Sequence, residues 1–236
     1  MKIAPKLLSV FNSGLISEYI DFRYLNTSDD HNPKTVALLA QKLAKFHSLN
    51  IPIPKTVLKK PQSLLEGKVR QEIVAKNLTT FLTLNLLDEM PWIGERVLRV
   101  KSPVVFSHND FNRTNILIRE SNDNKSQNLE IFFIDFDYSN YNYRGYDLGK
   151  YFSTWAQEIP EYCAGPNVQF PTDTQMSVFI EAYIEEMVNI YGNSYVNNEI
   201  NSIDSIIREA KSKAEIGFNC YRKLKNRVLQ EYPHLN

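Results

Sequence analysis

Phe106-Ser-His-Asn-Asp-Phe-Asn-Arg-Thr-Asn-Ile-Leu-Ile118 places His108, Asp110 and Asn115 in the order H-x-D-x-x-x-x-N, between two apolar, strand-like flanks. A second acid-bearing run follows, Ile131-Phe-Phe-Ile-Asp-Phe-Asp137. Taken alone, the His and Asp of the first motif read equally well as satisfied turn residues. The second run changes the reading, because a carboxylate behind four apolar residues is costly to bury without a donor or a cation. Two acids at the ends of adjacent strands are better explained by a shared cation. Phosphoryl transfer needs a carboxylate to orient and deprotonate the attacking hydroxyl, and oxygen ligands for Mg²⁺. Asp110 is the candidate base. Asn115, through its side-chain carbonyl, and Asp135 are the candidate metal ligands. His108 is grouped with the catalytic loop, where its expected part is to prop the backbone by a hydrogen bond rather than to titrate.

The bulk numbers bound the remaining choices. The chain has 236 residues, 43% hydrophobic and 23% charged, which suits one large or two small globular domains. Lys+Arg and Asp+Glu are both 27, so no nucleic-acid or anionic-membrane partner held by bulk charge is expected. Cys163 and Cys220 have no metal-type spacing and read as free thiols of a reducing compartment. No apolar run approaches the roughly 20 residues of a membrane span. The apolar patch Leu7–Phe11 is too short for a signal segment, so the reading is cytoplasmic.

Working outward, Val104 to Ser107 predicts a strand leading into the motif. Ile116 to Ile118 and Glu130 to Ile134 predict a hairpin joined by the polar segment 121–128. Upstream, residues 5–12 and 15–20 read as a hairpin around Asn12-Ser-Gly14. Residues 21–32 read as polar loop. Asn32-Pro33 starts a helix whose Val36, Leu39, Ala40, Leu43 and His47 share one face. Further helical segments are expected at 62–89 and 95–100. Residues 138–147 are rich in Tyr and Asn; helices at about 148–158, 173–191 and 199–230 follow, with a Pro/Gly loop at 160–172.

Three pieces, Pro103-Val-Val-Phe-Ser-His-Asn-Asp110, Asn115-Ile-Leu117 and Ile134-Asp-Phe-Asp-Tyr-Ser-Asn-Tyr-Asn-Tyr-Arg-Gly-Tyr-Asp147, resemble the choline/ethanolamine kinase family. Weaker similarity covers Pro5-Lys-Leu7, Leu15–Ile20, Phe46-His47, Leu148-Gly149, Phe152 and Trp155. The resemblance implies an α+β chain, a protein-kinase-like C-terminal lobe that is mainly helical with small β-hairpins. It also implies ATP- and Mg²⁺-dependent phosphorylation of choline or ethanolamine, the first step toward phospholipid head groups. On it, Asp110 is the base and Asn115 and Asp135 bind metal. Glu18, Tyr19 and Ile20 lie at the hinge that meets adenine, and Arg144 and Asp147 support the loop. Residues 1–20 read as a remnant of the N-terminal lobe and its hinge, and 21–236 as the helical lobe with the catalytic hairpin at 104–137.

Several positions depart from the family pattern. Only Gly14 precedes Gly67, and neither Lys2 nor Lys6 sits in a V-A-I-K-like strand, so the N-terminal lobe reads as largely missing and activity is expected to fall below that of a complete enzyme. Thr154 stands where the family usually carries Glu, and Lys150 where it carries Asn. No tryptophan-rich helix is evident. Trp155, Tyr138, Tyr141, Tyr143 and Tyr221 are the candidates for part of an aromatic cage around the amine, and so thin a cage favours ethanolamine or no amine at all. Two alternatives stay open: a catalytically weak pseudokinase that binds a partner, and an aminoglycoside-phosphotransferase-like kinase. A homo- or heterodimer with a related kinase is a possible assembly.

Overall fold

The structure is a computed structural model and describes residues 2–55, 71, 75, 101–121, 128–157 and 170–214. In chain order its strands are β1 (Leu7–Phe11), β2 (Gly14–Ser17), β3 (Arg23–Tyr24), β4 (Val104–Ser107), β5 (Ile116–Ser121), β6 (Asn128–Phe133) and β7 (Asn140–Tyr143). Its helices are α1 (Thr27–Asp30), α2 (Pro33–His47), α3 (Gly145–Ser153), α4 (Asp173–Tyr191) and α5 (203–214), with short 3-10 turns at Arg113–Asn115, Asn193–Tyr195 and Glu199–Asn201. The architecture is α+β: helices packed on small antiparallel sheets.

The apolar runs around the central motif form the expected hairpin. β5 and β6 pair from Ile116↔Phe133 to Ser121↔Asn128, and β3 adds to the other edge of β5. β1 and β2 also pair as expected. That hairpin leaves Leu7, Val10, Phe11 and Leu15 exposed.

Local signals account for the helices. Asn32 caps α2 by accepting from the Lys34 and Thr35 amides, with Pro33 in the first turn. Val36, Leu39, Ala40, Leu43 and His47 are all buried, and α2 packs on α4. Thr172 and Gln175 form a capping box at the start of α4, and Gly192, at φ 80°, ends it.

Three expectations need correction. Residues 21–32 are not simply loop: they hold β3 and α1. Asn26 caps α1 and Asp29 closes a capping box with it, a pattern present in the sequence as Asn26-Thr-Ser-Asp29. The Tyr/Asn-rich stretch contains β7, which pairs with β4 from Val104↔Tyr143 to Ser107↔Asn140. α3 starts at Gly145 and α5 at 203, rather than 148 and 199. α5 crosses close to α3, because a Cβ on Gly149 would lie 2.9 Å from the Ala214 amide nitrogen. The segments expected at 62–89 and 95–100, the interiors of the 121–128 and 160–172 loops, Tyr221 and both cysteines fall outside the described residues, apart from Gln71 and Ala75, which are helical. Among the described residues no helix is long and apolar enough to cross a membrane.

Candidate active site

The loop from His108 to Asn115 joins β4 to β5, and a buried carboxylate beneath it sets its course. Asp147, in the first turn of α3, accepts the His108 amide at 2.7 Å and the Asn109 amide at 2.8 Å. His47 Nε2 donates to it at 3.0 Å, while the other His47 nitrogen meets the Tyr183 hydroxyl at 2.9 Å. Burial favours the neutral form of Asp147. The hydrogen bonds from His47 and the His108 amide outweigh that and hold its pKa below the ordinary aspartate value.

His108 ties the loop to the second acid run. Its Nε2–H donates to the Ile134 carbonyl at 2.9 Å, and Nδ1 is buried with no partner. Asn109 at φ 64° and Asp135 at φ 61° both occupy the left-handed region, which non-glycine residues hold only where their surroundings over-determine it. For Asn109 those surroundings are visible. Its Nδ2 donates to the Tyr138 carbonyl at 2.9 Å, and its Oδ1 accepts from Asn142 at 2.7 Å.

Asp110 and Asn115 face one another. Asn112 organises the turn between them by accepting the Thr114 amide and hydroxyl at 2.9 and 2.6 Å. Asn115 Nδ2 then donates to the Asp110 carbonyl at 2.9 Å and to its Oδ2 at 3.1 Å. The amide oxygen of Asn115 points away from those bonds and accepts from no described residue. The Ile134 amide donates to the Asn115 carbonyl at 3.1 Å, so Asn115 and Asp135 end neighbouring strands. Asp135 is exposed, with no hydrogen bond or ion pair to a described residue. One amide oxygen and one carboxylate, neither bonded to a partner among the described residues and both hard donors, fit Mg²⁺ whose remaining positions go to phosphate and water. Lys150 of α3 approaches from the other side, its Nζ 3.6 Å from Asp110 Oδ1.

Arg144 is fully buried, not an exposed loop arginine. It donates to Glu209 Oε2 at 2.6 Å, Asn201 Oδ1 at 2.9 Å, the Tyr195 hydroxyl at 3.0 Å and the Ile200 carbonyl at 3.0 Å. Burial works against its charge, but Glu209 more than compensates and its pKa is raised. Arg144 and Glu209 thus clamp the start of α3, and with it Asp147, to α5.

A second clamp escaped the sequence reading. Buried Asp30 accepts from Arg113 at 2.5 Å, the Tyr151 hydroxyl at 3.0 Å and the Ala156 amide at 2.9 Å. Arg113 also donates to the Leu25 and Thr154 carbonyls. These bonds fasten the turn that carries Asn115 to α1 and to the end of α3. The signal available was the Asn26–Asp29 capping pattern, which places Asp30 on a short helix.

The candidate cage residues are dispersed. Trp155 is 3% exposed and packs on Tyr151, Phe152 and His31, so its ring belongs to the core. Tyr138 is exposed. Tyr141 is buried; its hydroxyl bonds to Ile51, and Lys55 lies 5.1 Å over its ring. It lines a cavity of about 570 Å³ behind β4, with Lys55, Tyr191 and Tyr195. The Tyr143 ring faces Lys213 at 4.8 Å. The Thr154 hydroxyl donates to the Tyr151 carbonyl and closes the end of α3.

At the expected hinge, Glu18 bonds to Lys2 and to the Lys6 backbone, Tyr19 is 82% exposed, and Ile20 is buried against Leu117 and Phe132. This segment therefore rests, through Ile20, on β5 and β6, the strands that adjoin Asn115 and Asp135.

Residues 1–219 match the choline/ethanolamine kinase family. Choline kinase alpha of Mus musculus is 33% identical over 200 residues, covering 79% of this chain and 44% of that protein. The choline/ethanolamine kinase of Homo sapiens is 34% identical over 197 residues, covering 78% and 48%. The chain thus spans about half the length of these relatives. Among solved structures, a Plasmodium vivax ethanolamine kinase superposes with a TM-score of 0.63 at 22% identity, covering 98% of this chain and 63% of that one. A choline kinase from Cryptosporidium parvum gives 0.59 at 21% identity, covering 97% and 75%. With the kinase-like fold shared and the sequence matched along most of its length, this chain belongs to the choline/ethanolamine kinase family.

Proposed function

We propose that the chain transfers the γ-phosphoryl group of ATP to the hydroxyl of choline or ethanolamine. One observation carries the reading: Asp110 and Asn115 are hydrogen-bonded to each other, and the Ile134 amide, next in the chain to Asp135, bonds the Asn115 carbonyl, on a loop that Asp147 and His108 hold in place. Asp110 orients the substrate hydroxyl and receives its proton as the oxygen attacks phosphorus. Asn115 and Asp135 would hold a magnesium ion, which when bound would offset charge on the phosphates. His108 keeps the two strand ends in register through its bond to Ile134. Asp147 fixes the direction of the loop and takes no proton in the reaction. The cytoplasmic setting and the place at the start of head-group synthesis belong to the same proposal.

The test is phosphorylation of choline and of ethanolamine by purified chain with Mg·ATP, alongside Asp110→Asn. The expected result is measurable transfer that falls about 10²–10⁴-fold in the variant, with an unchanged unfolding midpoint. Transfer that survives Asp110→Asn, or no transfer to either amine by the unaltered chain, overturns the proposal.

A further inference from the structure

The two oxygens of Asp110 have different partners. Oδ2 accepts from Asn115, and Oδ1 faces the Lys150 ammonium at 3.6 Å. Lys150 is 45% exposed at its side chain and is carried by α3, the helix anchored through Arg144 and Asp147. An ion pair so open to water adds little to stability, so holding the fold together does not account for a lysine here.

The geometry points to a different role: we propose that Lys150 binds the phosphoryl group in transfer. This rests on the kinase reading above. With Oδ2 engaged by Asn115, Oδ1 is the oxygen left to receive the hydroxyl proton. The hydroxyl oxygen must then come within about 3 Å of Oδ1, and the phosphorus it attacks lies about 3–3.5 Å beyond. An ammonium 3.6 Å from Oδ1, on a flexible four-carbon stem, reaches the oxygens of that phosphoryl group by rotating off Asp110. In the step, the new O–P bond forms as the bond from phosphorus to the ADP oxygen breaks, with its electron pair leaving on ADP. The hydroxyl proton passes to Asp110 Oδ1, and Lys150 keeps all its protons. Its charge meets the negative charge on the equatorial oxygens, where fixed cations act most strongly. The same charge opposes a cationic head group placed between Lys150 and Asp110, so the amine nitrogen must lie on the side away from α3.

Calorimetric titration of Mg·ATP and of Mg·ADP, without amine, tests the role apart from turnover. The proteins are the unaltered chain, Lys150→Ala and Lys150→Arg. The expected result is that Lys150→Ala loses about tenfold or more of its affinity for ATP, as for one charge-assisted hydrogen bond. ADP affinity stays unchanged, and Lys150→Arg restores most of the ATP preference. In turnover, Lys150→Ala lowers kcat without raising KM for the amine. An unaltered ATP-to-ADP ratio in Lys150→Ala, or equal loss of both nucleotides, overturns this assignment alone. An unaltered chain that binds neither nucleotide overturns the kinase reading and this assignment together.

Discussion

Replacing Asp147 with Asn removes one charge and hardly changes volume, yet it strikes the point on which the 108–115 loop hangs. The carboxylate accepts three donors: the His108 and Asn109 amides and His47 Nε2. An asparagine keeps one oxygen and must turn its own NH₂ toward at least one of those N–H groups. A charge-assisted bond of about 1.5–3 kcal/mol is lost, and a donor is left facing a donor in a buried site. Asn109 also loses an anchor for its left-handed backbone, a conformation that costs about 1–3 kcal/mol where it is unsupported. The combined destabilisation is about 3 kcal/mol. With a urea slope of about 2 kcal/mol/M, the unfolding midpoint of Asp147→Asn should drop by about 1.5 M, read by circular dichroism. The pH dependence follows from the lowered pKa of Asp147. A carboxylate whose folded pKa lies below its unfolded value of about 3.9 contributes stability that is fully present above that value. The contribution is lost as pH falls through the folded pKa. The gap between the two proteins should therefore be constant above about pH 5 and narrow below about pH 4. A midpoint shift under about 0.3 M at neutral pH would refute the reasoning, as would a gap that widens in acid.

Two further outcomes are expected. Gly149→Ala puts a Cβ 2.9 Å from the Ala214 amide nitrogen and 3.0 Å from the Ala210 carbonyl. Because both are backbone atoms, α5 must shift, at about 1–3 kcal/mol, which thermal unfolding would show as a lowered Tm; an unchanged Tm would mean that the crossing is looser than described. Lys42 donates to the Lys2 and Ile131 carbonyls, and burial, the chief cause, holds its pKa down to about 8. Its folded pKa lies below its unfolded value, so the unfolded chain binds more protons between the two, and stability should rise with pH from about 8 toward about 10.4. Lys42→Met should flatten that rise in urea titrations across this range; an unchanged slope would assign it to other groups.

Where a signal is local, the structure followed it. The β5–β6 hairpin was legible because two short continuous apolar runs and a polar connector act over neighbouring residues. α2 and α4 were legible from Asn32-Pro33 and from apolar periodicity. β3 and α1 were missed because the polar character of 21–32 reads as loop, although Asn26 and Asp29 carried a capping pattern. β7 was missed because its strand character comes from pairing with β4, and a Tyr/Asn-rich run does not announce its partner. The aromatic candidates show the same limit. Trp155, Tyr138 and Tyr141 are near one another in the chain, but packing sent one to the core, one to the surface and one against Ile51 and Phe106.

Sequence alone singled out His108, Asp110, Asn115 and Asp135 as the candidate site, because the motif and the second acid run are linear features with fixed spacing. It also determined the family, through the long stretch ending at Asp147. Only the tertiary structure decided what holds those residues in place and what stands beside them. Asp147 reaches back to the loop across 38 residues, Asp30 meets Arg113 across 83, and Lys150 arrives beside Asp110 from a separate helix. Such contacts depend on how helices and strands pack, and their energies come from burial and charge pairing between segments that no local propensity relates.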